Sequence, residues 1–254
     1  MRSAQAISIL APVLLGIVVL ALWQGACRLW HIPPYLMPSP SDIAAALWHD
    51  GPALLHALLS TLEVTFAALA AAVIGGVLVA FLLVQSPLIE RCLMPYVVIM
   101  QVTPIVAIAP LIIILVKTTP VALTLCAALI AIFPVISNTL QGLRSVDPDL
   151  AAYFRMYKAS RLQTLFRLRV PSALPMFMAG LRIATGLSLV GAVVAEFVAG
   201  TGGNSAGLAY EILQSGFQMD IPRMFAALFL ITVAGLALYG ATAGLQRAVL
   251  RHRA

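Results

Sequence analysis

The sequence predicts an all-α integral membrane protein of about six transmembrane helices that holds one basic, helical elbow out into water. Three observations carry this. Hydrophobic residues make up 62% of the 254 residues, charged ones only 9%, and the mean hydropathy is +1.03, whereas a soluble domain is roughly a quarter charged. Apolar runs of about 20 residues, long enough to cross ~30 Å of hydrocarbon, recur along the chain. Among them lies one long stretch unfit for a bilayer, Ser145 to Pro175, where Arg155, Lys158, Arg161, Arg167 and Arg169, with Arg144 just before them, gather six of the 15 Lys and Arg.

The spans are expected at about 6–29, 58–84, 93–116, 121–141, 176–199 and 224–247. An even number puts both termini on one side. With that side cytoplasmic, Arg2, Arg91, the six cations from Arg144 to Arg169, Arg182, Arg247, Arg251 and Arg253 are inside, 12 of 15, and only Arg28, Lys117 and Arg223 are outside. The positive-inside rule then assigns an N-in, C-in, multi-pass topology, and the net charge of +6 reads as topology rather than as affinity for nucleic acid. The chain divides into an N-terminal span with an outer connector (1–57), a core (58–247) containing the elbow (145–175), and a basic tail (248–254), all in a single membrane domain, 1–254.

The first run follows Arg2 and is longer than the apolar core of a secretory signal, without a small-residue cleavage pattern, so it reads as a retained helix. The connector, PPYLMPSPSDIAAALWHDGPALL, combines a proline-rich entry, Ser39 or Ser41 as a cap, and a short amphipathic helix on the outer surface. It is either a solvated linker or a docking surface. Gly75 and Gly76, in an alanine-rich second span, allow close approach of another helix. In the third span Pro95, Pro104 and Pro110 each remove a helix donor, so this helix should bend or break near Pro104. Irregular backbone at membrane depth is tolerated beside a watery cavity, which makes Gln101, Thr103 and Pro104 candidates for a translocation path, against a kink that serves packing alone. Pro134 with Ser137, Asn138 and Thr139 offers a similar polar cluster near the inner end of the fourth span, with Asn138 as a further path candidate.

Glu196 lies inside the fifth span near its outer end, where an ionised carboxylate is costly. It is a path candidate, or else it bonds to the glycine-rich turn AGTGGNSAG that follows. Glu63 invites the same two readings. That turn lacks the strand, helix and lysine context of a phosphate-cradling loop. Cys27, Cys92 and Cys126 lack metal-ligand spacing. The four histidines fall outside the expected spans, and His49 and His56, seven residues apart and about 10 Å along one helix, are a poor chelating pair. No His–Asp–Ser, paired-Asp or His–Glu constellation occurs within the spans, so no catalytic residue, metal or cofactor is assigned.

The elbow has its own grammar. Asp147–Pro148 is an N-cap with proline at N1, opening a helix to about Tyr157. Ser160 with Gln163 is a capping box that opens a second helix, which Pro171 and Pro175 should end. Leu150, Tyr153, Phe154 and Tyr157 follow i, i+3, i+4, i+7 spacing and form an apolar ridge beside cations. Such a ridge fits a groove in another protein or rests on anionic headgroups.

This region resembles the cytoplasmic loop of permease subunits of binding-protein-dependent ABC importers, which usually reads Glu-Ala-Ala-x-x-x-Gly, nine residues, then Ile-x-Leu-Pro. Here Leu168, Arg169, Val170 and Pro171 match the downstream tetrad, while Ala152, Tyr153 and Phe154 replace the first three positions and Lys158 replaces the glycine, whose left-handed turn costs lysine energy. LMPSPSDIAAAL, TPIVAIAPLIIIL, FPVISNTLQGLRSVDPDL, GLRIATGLSLVGAVVAEFVAGTGG and GLAYEI are similar in order and spacing to the nitrate, sulfonate and taurine branch. The resemblance implies a type I importer permease of the bacterial inner membrane. It implies a coupling helix at 149–161, with Leu150, Tyr153, Phe154 and Tyr157 as anchors and Arg155, Lys158, Ser160 and Arg161 beside them. Its implied partners are a cytoplasmic ABC ATPase dimer, a periplasmic or lipid-anchored solute-binding protein, a second permease copy in a homodimer, and membrane lipid, with no nucleic acid. The solute would be a small anion (sulfonate, taurine or nitrate) or a vitamin-related precursor. No P-loop occurs, so ATP hydrolysis falls to a partner chain. The alternative is a proton-coupled secondary transporter using Glu196 and Glu63, which would call for acids at mid-depth and inverted repeats.

Overall fold

The computed structural model of the chain describes residues 2–200, 202 and 206–251, with side chains from residue 10 onward. Among them there is no strand, and the helices run as α1 (Arg2–Leu29), α2 (Pro40–His49), α3 (Gly51–Val84), α4 (Pro87–Val102), α5 (Ile105–Leu115), α6 (Thr119–Arg144), α7 (Pro148–Met156), α8 (Arg161–Thr164), α9 (Val170–Ala199), α10 (Leu208–Phe217) and α11 (Ile221–Leu250). Five are long and apolar enough to cross a membrane, and α4 with α5 completes a sixth span if the bent pair counts as one.

Local chemistry places the ends. Ser39, not Ser41, caps α2: its side chain accepts from Asp42 N while the Asp42 carboxylate accepts from Ser39 N, with Pro40 at the first position. Ser41 instead exchanges two hydrogen bonds of 3.0 Å with the Gln24 amide, tying α2 to α1. Ser86 caps α4 ahead of Pro87, and Asp220 caps α11 by accepting from Arg223 N. At the other end of α9, Gly200 closes the helix at φ 56°, a conformation glycine adopts without cost.

Two expectations need correction, and the break expected near Pro104 is borne out. The second span begins at Gly51 rather than near 58, so His56 belongs to it while His49 ends α2; the two histidines do not share a helix. The third span is two helices meeting at 96°, with Thr103 ending α4 and Pro104 starting α5. Pro171 and Pro175 do not end the second elbow helix: α8 passes through a five-residue π turn, Leu165–Arg169, straight into α9. The wider π turn, in which Val170 N donates to Leu165 O, opens the backbone where the ring of Pro171 would otherwise meet a carbonyl.

α3, α6 and α9 form the centre of the molecule, and the α6–α9 interface is its largest. Lipid tails give no hydrophobic drive between helices, so close backbone packing has to hold them. Small residues provide it. A Cβ on Gly191 would lie 2.8 Å from Ala127 Cα, one on Gly180 2.7 Å from Asn138 Cβ, and one on Gly142 2.8 Å from the Ala173 carbonyl oxygen. Gly76 does the same for α3, where a Cβ would meet Val135 at 2.8 Å, as its place among alanines predicts. The α1 helix stays at the edge, mostly exposed, with Trp23 against Phe225 of α11 at 6.2 Å between ring centroids.

Two substitutions test this packing. Gly191→Leu should lower stability by about 1–3 kcal/mol through overpacking, whereas Gly244→Ala, with nothing within 4 Å, should leave it unchanged or raise it slightly. Both are read from unfolding curves of the detergent-solubilised protein.

Candidate functional site

The inner elbow is built as a sequence of caps. Asp149 N donates to Asp147 Oδ1 at 2.8 Å, starting α7 behind Pro148. The helix ends in a Schellman motif: Lys158 N donates to Arg155 O and Ala159 N to Phe154 O, both at 3.0 Å, with Lys158 in the left-handed region at φ 50°. The position where the loop pattern has glycine therefore keeps the glycine conformation, and the lysine bears the steric cost. Ser160 reopens the chain with the expected capping box, Ser160 N to Gln163 Oε1 at 2.8 Å and Gln163 N to Ser160 Oγ at 3.2 Å. Leu165 and Leu168 on the π turn are buried, Leu165 in the inner core with Leu83, Leu143 and Ala173, so the elbow is rooted in the spans.

The ridge is present and uncovered within the chain. Leu150, Tyr153 and Tyr157 are 50%, 54% and 71% exposed, and Phe154 is half-buried. The Tyr153 and Tyr157 rings lie 4.6 Å apart, and a hydrogen bond with the Tyr157 hydroxyl raises the Tyr153 phenol above its ordinary value. Met156, which the ridge spacing does not single out, is exposed beside them. Arg155 and Arg161 line a pocket behind the helix, together with Arg169.

The path candidates fall at separate places. Gln101, Thr103 and Pro104 sit together at the break, where Thr103 Oγ1 donates to Ile99 O at 2.7 Å. Asn138 belongs to the α6–α9 contact: its Nδ2 donates to Pro134 O at 2.9 Å and its Cβ faces Gly180. Glu196 is buried at the end of the bundle opposite the elbow. Its Oε2 accepts from Thr61 Oγ1 at 3.1 Å and from Ala209 N at 3.2 Å, while Leu208 N donates to Thr61 Oγ1 at 2.9 Å. Gly207, the residue before α10, packs against this carboxylate and has no side chain to cap the helix. Glu196 and Thr61 thus cap α10 from two other helices, past the glycine-rich turn, of which residues 201 and 203–205 lie outside the described residues. Tertiary juxtaposition alone reveals this.

A cavity of about 730 Å³ opens between α3 and α6, lined among others by His56, Ser60 and Glu63 of α3 and by Thr119 and Thr124 of α6. The first three share a face at i, i+4, i+7, a pattern present in the sequence, but only the packing of α6 turns it into a site. No group of three or more metal-ligating side chains occurs among the described residues.

Residues 72–251 match the family described as binding-protein-dependent transport system inner membrane component. The chain is 34% identical to a probable ABC transporter permease protein of Haemophilus influenzae, over 92% of this chain and 94% of that one. It is 31% identical to the formylaminopyrimidine transport permease ThiX of Halalkalibacterium halodurans, over 99% and 98%. It is also 29% identical to the putative aliphatic sulfonates transport permease SsuC of Bacillus subtilis, over 94% and 86%. A crystal structure of an amino acid ABC transporter with histidines has the same fold, with a TM-score of 0.67 at 19% identity, covering 80% of this chain and 97% of that one.

Two outcomes follow from the geometry. Lys158→Gly should stabilise the elbow by about 1 kcal/mol by removing a left-handed lysine, seen as slower hydrogen exchange at residues 157–159. Glu196→Ala leaves the buried Ala209 N without its acceptor, while Thr61 Oγ1 keeps Ala57 O at 3.2 Å, and should cost about 1–3 kcal/mol. Glu196→Gln, which keeps an acceptor oxygen, should cost clearly less in the same unfolding assay.

Proposed function

As the chain belongs to the binding-protein-dependent transport system inner membrane component family and is the permease subunit of an ABC importer, we propose that two copies of it enclose a solute path and are driven through the 149–161 elbow. The family's ATPase is a separate subunit, and its importers work with a solute-binding protein. The observation that carries the elbow assignment is the exposed ridge of Leu150, Tyr153 and Tyr157 on a helix whose root, Leu165 and Leu168, is buried in the spans. An apolar ridge without a partner in its own chain suits a groove on another protein. The excess of Lys and Arg on the elbow's side of the spans supports an N-in, C-in topology with this elbow on the side of the ATPase, and Lys158 lies on its exposed corner. Approach of two ATPases on binding ATP brings the paired elbows together, and the continuous helix from Arg161 to Ala199 carries that displacement across the membrane.

For the solute, the outer cavity favours a small nitrogen heterocycle of the vitamin-precursor kind over an anion. Its lining places the Glu63 carboxylate, the His56 ring and three hydroxyls at the opening, with no Lys or Arg among the described lining residues. Glu63 repels an anion and accepts from ring or amino N–H groups, a preference in keeping with the formylaminopyrimidine permease among the relatives. Proton coupling through Glu196 draws no support from the geometry, since that carboxylate is committed to capping α10.

The assembled importer, reconstituted with its ATPase and binding protein, tests each part. Tyr153→Ala with Tyr157→Ala should weaken ATPase association by roughly 2 kcal/mol or more, measured by co-purification. An aminopyrimidine-type solute should stimulate ATP hydrolysis where taurine and nitrate do not. Transport should survive Glu196→Gln and be indifferent to a proton gradient; collapse of transport in that variant would favour the secondary transporter.

A further inference from the structure

Behind the elbow lie two adjoining pockets of about 360 and 380 Å³. The first is bounded by Val84 and Gln85 at the inner end of α3, by Arg155 of α7, and by Arg161, Thr164 and Arg169 on the way into α9. The second shares Arg155, Thr164 and Arg169 and adds Arg144 at the inner end of α6. Four guanidinium groups thus border one recess. Arg144 is ion-paired with Glu90. For Arg155, Arg161 and Arg169 no carboxylate lies within ion-pair distance among the described residues. The Gln85 amide nitrogen donates to Phe81 O at 3.2 Å. Three like charges held together by separate helices repel one another, and an anion between them removes that cost.

We propose that this recess binds the phosphate of an anionic phospholipid headgroup. Guanidinium groups match phosphate oxygens in pairs of parallel hydrogen bonds, and basic pockets at the cytoplasmic ends of membrane helices suit such headgroups. The depth fits: Gln85 follows the last residue of a 34-residue apolar helix, and Arg169 immediately precedes α9. Leu78 and Leu82, exposed on α3 just before Gln85, extend an apolar surface from the recess toward the membrane, where acyl chains lie. This favours a lipid over free phosphate. It also favours lipid over a carboxylate of the ATPase, because the ridge residues Leu150, Tyr153 and Tyr157 do not line either pocket. A phosphate held here bridges α7 and α8 to the inner end of α3 and stiffens the elbow.

The test uses the full chain purified in neutral detergent, stripped of lipid and titrated with phosphatidylglycerol or phosphatidylcholine, with bound lipid read by native mass spectrometry. Wild type should prefer phosphatidylglycerol, and Arg161→Gln with Arg169→Gln should weaken that binding by about tenfold to thirtyfold. Arg247→Gln with Arg251→Gln, on the basic end of α11, should leave it unchanged. Arg161→Gln alone, at an exposed position, should give a partial loss and guards against misfolding of the double variant. Equal phosphatidylglycerol binding by wild type and the double variant overturns the proposal. So does equal protection of the elbow from hydrogen exchange by inorganic phosphate alone, or loss of ATPase association in the double variant with lipid binding intact.

Discussion

The close approach of α6 and α9 is the constraint on which the rest of the structure depends. These antiparallel helices meet at Gly191, Gly180 and Gly142 with no room for a side chain between them, so they pack as one unit, with Asn138 held inside the contact by its bond to Pro134 O. α3 joins this unit through Gly76. The elbow grows from the N-terminal end of α9, and the Glu196–Thr61 pair joins α9 to α3 at the opposite end and there holds α10.

The two ends are fastened by different physics. At the inner end, caps and a π turn dominate: Asp147, Lys158 and Ser160 each satisfy backbone groups that helix ends leave open. The left-handed Lys158 belongs here, since the Schellman bonds around it override the residue's own preference. At the outer end, a buried carboxylate is stabilised only because two donors from separate helices meet it. Glu196 is therefore a tie between elements.

Fold class, span number and the elbow's caps were legible in the sequence because they rest on local rules. Hydrophobic length sets a span, Asp-Pro and Ser-x-x-Gln set caps, and proline in the third span marks a break. The continuity of the elbow into α9 was not legible, since Pro171 and Pro175 read as stops until the π turn is seen to accommodate them. Likewise, the ridge of Leu150, Tyr153 and Tyr157 follows from helical spacing, while the side on which Arg155 and Arg161 lie depends on where α3 and the π turn pack.

By itself, then, the sequence determined that this chain is a bundle of membrane helices with a basic elbow on one side, because burial in lipid and helix termini impose requirements each segment must meet alone. Only the tertiary structure decided what Glu196 binds, that His56, Ser60 and Glu63 open onto a shared cavity, and that four arginines border one recess. Those outcomes depend on which small residues let which helices approach, and groups that meet across such contacts are separated in sequence by tens of residues.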